Sequence, residues 1–512
     1  MTIDSSASFD LARTSPPIID RRSSPQPSRT PRAAWRIIPE IDKDARFVAY
    51  AQLIPGRIAL FVILIVLTAL LYLLGVDIAV APLAAVYAYA QQQHRRYLLP
   101  LATLLLLYKN HFWVDSSLVS HVVEQEGLAG LVNQNLLFAG TLALVVVLCS
   151  GLLVLWPRIV AIAFFRRSTL CLIAGFIALV VLAQSPVAAG APRVLLWSFL
   201  MTFLPFLWFL AYALAGAGAR EQAPFWEHLG VFHPFWGATL TPFGKGLSYL
   251  RKFEAKTPED LAVTQLKGLK LAAWTLVLAA CLNGFIALVH GRLALPRFDD
   301  AFYGYLAGTP YPRYLCWVTL AAYFVEDMLN MTVWGGAIIV CARLAGFRLL
   351  RNTYRPMEST TLAEFWNRYY FYYKELLVDH FFYPAFLRYF RTNRKLRMFF
   401  ATFMAACVGN LTYHFLRDIH FVAELGWWNA LSGEASHAFY TFLLAIGVGV
   451  SQMRVRGERP HRGWLRGRVL PCLWVALFFC VLHVFDAPLD RVHTIWQRSD
   501  FLSYLLGIDT WI

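Results

Sequence analysis

The chain has 512 residues, 58% of them hydrophobic and 15% charged, with a formal net charge of +15. A balance so apolar excludes a soluble globular protein and indicates an all-α, polytopic membrane protein. The basic residues stand in short blocks beside apolar runs, as in RTNRKLR from Arg391 and RVRGERPHRGWLRGR from Arg454. Such blocks orient loops and meet anionic lipid, so the charge implies a bilayer partner and no nucleic acid.

Residues 1–50 are rich in Ser, Pro and Arg and read as a disordered tail, which Arg13, Arg21, Arg22, Arg29, Arg32 and Arg36 place in the cytoplasm. The first apolar run comes too late for a secretory signal peptide. Residues 51–512 read as one integral membrane domain. Clear apolar runs begin near Ile58, Leu136, Leu170, Val194, Leu269, Leu315, Met398, Ala438 and Val469, with weaker ones near Ala79 and Tyr97. Set against the roughly 20 residues that a crossing helix needs, they predict about 10 to 12 membrane helices. All eight cysteines lie in or beside apolar segments without a CxxC pair, so neither a metal site nor a disulfide framework is expected.

Two polar intervals interrupt this pattern. The first, Ala219 to Lys270, reads as interfacial amphipathic helices or a connecting loop. Within it, KTPEDLAVTQL carries a helix start, with Thr257 as cap and Pro258 at the first helical position. The second runs from Ala342 to Arg397 and contains TLAEFWNRYYFYYKELLVDHFFYP, too charged to face lipid and too aromatic for a solvent loop. As a helix it would pair Glu364 with Arg368 four residues on, align Asn367, Tyr370 and Lys374 on one face and Tyr369 with Tyr373 on another, and end or bend at Pro384. Such a helix suits the wall of a polar cavity between membrane helices.

Ionisable groups inside apolar runs are costly and are functional candidates by default. His414 follows about 16 apolar or small residues, roughly 24 Å of helix, and Asn410 lies one turn before it. Read from the residues alone, a hydrogen-bonded packing histidine is the somewhat favoured reading of His414. Glu326 and Asp327 interrupt another run; being adjacent, they point to different helix faces, and a structural polar network is the favoured reading. No internal repeat is visible, which counts against a transporter.

The stretch CARLAGFRLLRNTYRPMESTTLAEFWNRYY resembles the central signature of bacterial membrane-bound O-acyltransferases, the MBOAT family. Arg343, Gly346 and Phe347 match a helix end, Asn352, Tyr354 and Pro356 a turn, and Thr361, Phe365, Trp366 and Arg368 a further element; Asp379 falls where an Asp is common. The family's histidine, in an apolar helix roughly 45 residues beyond that element, corresponds to His414 in GNLTYH, 44 positions after Tyr370. The clear resemblance covers Leu315 to Asp418. Two departures stand out: Tyr370 occupies the family's second polar position, usually His, and Phe415 follows His414 where Gly is usual. A phenol with a pKa of about 10 cannot serve as a base near neutrality.

The resemblance implies a transfer of an acyl group, expected to be acetyl, from a thioester to a hydroxyl of a glycan, lipid or small molecule. His414 would be the general base, with Asn410, Asn367 and Tyr370 as hydrogen-bond donors; Trp366, Arg368, Tyr373, Asp379, Glu326 and Asp327 are the expected substrate contacts. No bound cofactor or metal is implied. The co-substrate would be acyl-CoA or an acyl carrier protein, a soluble or periplasmic acyl-handling partner is compatible with the scheme, and the location would be a bacterial inner membrane. The alternative, prompted by Tyr370, is a non-catalytic relative or a transporter that binds or moves an acylated ligand or glycan.

Overall fold

The computed structural model describes residues 38–110, 114–216, 225–453, 463–486 and 494–508. Chain contacts separate Met1–Pro39 from a second unit, Glu40–Ile512, which holds every helix among the described residues. The expected tail lies outside the described residues as far as residue 37. Helix begins at Ala45, before the expected boundary at residue 50, with Asp44 capping it by accepting from the Arg46 N–H at 2.9 Å. Helices joined by turns and loops make up the second unit, and the described residues hold no strand, only an isolated bridge between Glu254 and Phe347.

Among the described residues, seven helices are long and apolar enough to cross a membrane: Ile54–Leu73, Gln134–Ile159, Ala191–Gly216, Pro258–Arg292, Arg313–Leu344, Arg394–Arg417 and Leu465–His483. These make a multi-pass membrane protein; the 10 to 12 helices expected exceed the seven that qualify among the described residues. The run near Ala79 gives only the short Ala81–Tyr87 helix, and Ser168–Gln184 is apolar but short. Ile54–Leu73 turns large apolar side chains outward, Ile54 at 72% and Leu73 at 79% exposure, as a lipid-facing helix does. By contrast, Ala191–Gly216 is apolar all round and nearly all buried, with Trp197 and Trp208 fully enclosed, so it lies inside the bundle.

Thr257 caps Pro258–Arg292 as expected, accepting from the Asp260 N–H at 3.1 Å. That helix packs along Arg313–Leu344. A Cβ on Gly268 would stand 3.2 Å from Arg343, and one on Gly336 only 2.8 Å from Thr275, so the pair runs antiparallel. Small residues permit this approach where lipid supplies no hydrophobic drive for helix association. The 219–270 interval, described from residue 225, holds two short helices before the long one that starts at Pro258. Its helices Phe225–Phe232 and Leu247–Phe253 bury residues such as Leu229, Phe232, Leu247 and Leu250 in the body.

Arg394–Arg417 contains a π-helical turn, Met404–Gly409, immediately before Asn410. The wider turn re-phases the residues after it, a device often found at functional sites. Gly409 lies against Phe381, whose ring would be 2.7 Å from an added Cβ. Gly409→Val is therefore expected to overpack this contact, destabilising the protein by about 1–3 kcal/mol. Thermal unfolding of the purified protein in detergent would show the drop.

Candidate active site

The aromatic stretch is not one helix. Thr361 caps Leu362–Tyr369 by accepting from the Glu364 N–H at 3.1 Å, and Glu364 in turn accepts from the Thr360 N–H at 2.9 Å and from Arg368 at 2.7 Å. The predicted Glu364–Arg368 pair is thus present. At Tyr370 the backbone leaves the helical region (φ −132°, ψ 81°), and a new helix, Phe371–Leu377, begins. The bonds lost at the break are replaced from the Asn352–Tyr354 turn. Asn352 accepts from the Phe371 N–H with its carbonyl (2.8 Å) and from the Tyr372 N–H with its side chain (3.3 Å). Thr353 donates to the Tyr369 carbonyl (2.6 Å) and the Tyr354 N–H to that of Arg368 (2.9 Å).

This break overturns the predicted alignment of Asn367, Tyr370 and Lys374. Asn367 is exposed and does not line the cavity, whereas Tyr370 and Lys374 do. Pro384 stands just after a π-helical turn, Val378–Phe382, near the start of the short Tyr383–Arg388 helix, so it bends the chain and does not end it.

The cavity measures about 370 Å³. It gathers Trp366, Tyr369, Tyr370 and Tyr373 from the aromatic stretch, Asn410, Tyr413 and His414 from the re-phased helix, and Asp327 from Arg313–Leu344. The Tyr373 hydroxyl donates to the Asn410 carboxamide oxygen at 2.6 Å, leaving the Asn410 N–H groups as donors. The Tyr370 hydroxyl sits within hydrogen-bonding reach of Thr239 and Thr241, and Thr241 is 2.9 Å from the Tyr413 hydroxyl. The Tyr369 hydroxyl donates to Asp327 at 2.6 Å.

Other predicted site residues lie elsewhere. Glu326 faces away, 2.6 Å from His290 Nε2, in keeping with the expected divergence of the two adjacent acids. Arg368 is engaged by Glu364 and the Arg355 carbonyl. Asp379 belongs to a separate ionic cluster, 2.9 Å from Lys245 and accepting from the Tyr212 hydroxyl at 3.0 Å; Lys245 also meets Glu375 at 2.5 Å. Lys245 adopts φ 58° between Gly244 and Gly246, a left-handed conformation that turns it into this cluster. Burial works against its charge, but the Asp379 and Glu375 carboxylates outweigh that and hold it above the ordinary lysine value.

Sequence reasoning missed His437, His483, Tyr440 and Asp486, all of which line the cavity. The His414 and His437 rings lie 4.2 Å apart between centroids, and His437 Nδ1 is 3.1 Å from Asp486. His483 donates from Nδ1 to the Phe479 carbonyl at 2.6 Å, and its Nε2 lies 3.6 Å from Asp327. The available signal was that His483 and Asp486 sit at the end of an apolar run, where an ionisable group is costly. Chemically, the cavity offers imidazoles beside fixed hydroxyl and amide donors inside an aromatic wall, a set suited to proton transfer with stabilisation of a developing oxyanion.

No family model matches the sequence, and no curated protein matches it.

Lys245→Met would leave Asp379 without its counter-charge and Glu375 with only Lys374. The expected loss of unfolding free energy is about 3 kcal/mol, partly restored by adding Asp379→Asn. Chemical unfolding of the three proteins in the same detergent checks it.

Proposed function

We propose that this chain is a membrane O-acyltransferase of the MBOAT kind, moving an acyl group from a thioester to a hydroxyl acceptor, with His414 as general base. The observation that carries this reading is the meeting of His414 with Asn410, Tyr370 and Tyr373 in one cavity, from two stretches separate in sequence. Both stretches bear the motif resemblance, and the polar groups are held between membrane helices, where they would be costly without a use.

His414 takes the acceptor's proton as its oxygen attacks the thioester carbonyl; an imidazole is suited to this because its ordinary pKa of about 6.5 leaves it mostly neutral at pH 7. The Asn410 amide and the Tyr370 hydroxyl are donors to the oxyanion, a task a phenol performs without losing its proton. The tetrahedral intermediate then expels the thiolate. The acyl group is expected to be acetyl, delivered by CoA or an acyl carrier protein at a bacterial inner membrane, to a glycan, lipid or small-molecule hydroxyl.

Tyr370, in place of a second histidine, favours one other reading: a non-catalytic relative that binds an acylated ligand or glycan.

Membranes carrying wild type, His414→Ala or Asn367→Ala, supplied with labelled acetyl thioester and scored for alkali-labile label in glycans and lipids, decide between them. Wild type is expected to form label, His414→Ala to lose at least about a hundredfold, and Asn367→Ala to stay near wild type. An abundant, folded wild type that forms no ester from acetyl or longer acyl thioesters overturns the proposal.

A further inference from the structure

We infer that His437, held by Asp486, is a second catalytic imidazole, placed to protonate the departing thiolate while His414 serves the acceptor hydroxyl. The inference rests on the acyl-transfer reading above and adds a residue that the motif resemblance does not contain.

His437 stands in the first turn of Ala435–Met453 and lines the same cavity as His414. Its Nδ1 faces the Asp486 carboxylate at 3.1 Å, and Tyr440 stacks on its ring with centroids 5.2 Å apart and planes 19° apart. Those two contacts settle the orientation of the ring and make Nδ1 the donor to the carboxylate. Nε2 is buried and has no hydrogen-bond partner in the protein. A buried ring nitrogen left unpartnered is costly unless a bound molecule engages it, and here it borders a cavity. His483 offers no such atom, since its Nδ1 is spent on Phe479 and its Nε2 faces Asp327.

Acyl transfer has two ends to serve. The attacking oxygen and the departing sulfur are bonded to one carbon in the tetrahedral intermediate, so groups that serve both must stand side by side. The His414 and His437 rings do so, 4.2 Å apart. Transfer requires His414 with a ring nitrogen free to accept and His437 carrying a proton on Nε2 as well as on the Nδ1 that faces Asp486. His414 takes the hydroxyl proton as the O–C bond forms. The C–S bond then breaks with its electron pair going to sulfur as the Nε2 proton of His437 moves onto that sulfur, giving the free thiol. Passage of the proton from His414 to the neighbouring His437 restores both rings, and no further reactant is needed. In the intermediate both rings are cationic, and the oxyanion and Asp486 balance them.

The test compares an alkyl thioester, whose more basic thiolate gains most from a proton supplied as it leaves, with an aryl thioester of the same acyl group, whose weakly basic thiolate gains little. Purified full-length wild type, His437→Gln, Asp486→Asn and His414→Gln are assayed for thiol release and ester formation, after thermal unfolding confirms that each variant is folded. His437→Gln is expected to lose about a hundredfold or more with the alkyl substrate and far less with the aryl one. Asp486→Asn should share that pattern more weakly, and His414→Gln should lose on both. Equal losses on the two thioesters, or none, for His437→Gln overturn the role of His437 while leaving the acyltransferase reading intact. Wild type inert towards both thioesters overturns both proposals.

Discussion

The candidate site depends on a backbone break that could not stand by itself. Ending one helix at Tyr369 and starting another at Phe371 strips carbonyls and N–H groups of their helical partners in a place where water is scarce, and each bare group is expensive. The Asn352–Thr353–Tyr354 turn satisfies four of them, and Asn352, only 2% exposed, does so with both its carbonyl and its side chain. Its fit depends in turn on Gly335, where a Cβ would come 2.5 Å from the Asn352 amide nitrogen. Were the helix continuous, Tyr369, Tyr370 and Tyr373 would be bound to helical spacing. The break frees them to reach Asp327, the Thr239–Thr241 hydroxyls and Asn410 respectively.

A matching irregularity lies across the cavity. The π-helical turn Met404–Gly409 shifts the phase of Asn410, Tyr413 and His414 relative to the lipid-spanning part of their helix. Gly409 lets that helix approach Phe381 closely, which brings Asn410 within hydrogen-bonding distance of Tyr373. Thus two departures from regular helix, each supported by a residue with no chemistry of its own, set the distance between the two walls.

The parts of this arrangement that were legible in the sequence are those whose causes are local. The Thr257 cap and the Glu364–Arg368 pair follow from residues three or four apart, and both form. The length and apolarity of the long helices were likewise readable, although the run near Ala79 folds as a helix too short to cross. Helical periodicity carried straight through Tyr370 because nothing within the stretch marks a break; the partners that stabilise it sit some 20 residues earlier. Asn367 was accordingly assigned to the cavity and is found exposed. The His437–Asp486 contact spans 49 positions and two helices, and no spacing rule connects them.

Asp486 and Asp327 each face a histidine that borders the cavity, and the two pairs differ in what they leave free. At His483, Nδ1 donates to the Phe479 carbonyl and Nε2 faces Asp327 at 3.6 Å, so that pair, with the Tyr369 hydroxyl on Asp327, is a polar network of the sort that rigidifies a buried wall. At His437 the carboxylate engages one nitrogen and the other remains open to the cavity. The two pairs on the same wall divide the work. The first holds the aromatic stretch against Arg313–Leu344 and Leu465–His483, and the second leaves one proton-carrying atom beside His414. In the proposed acyl transfer Tyr370, which cannot act as a base near neutrality, need only donate a hydrogen bond, because a second imidazole borders the same space.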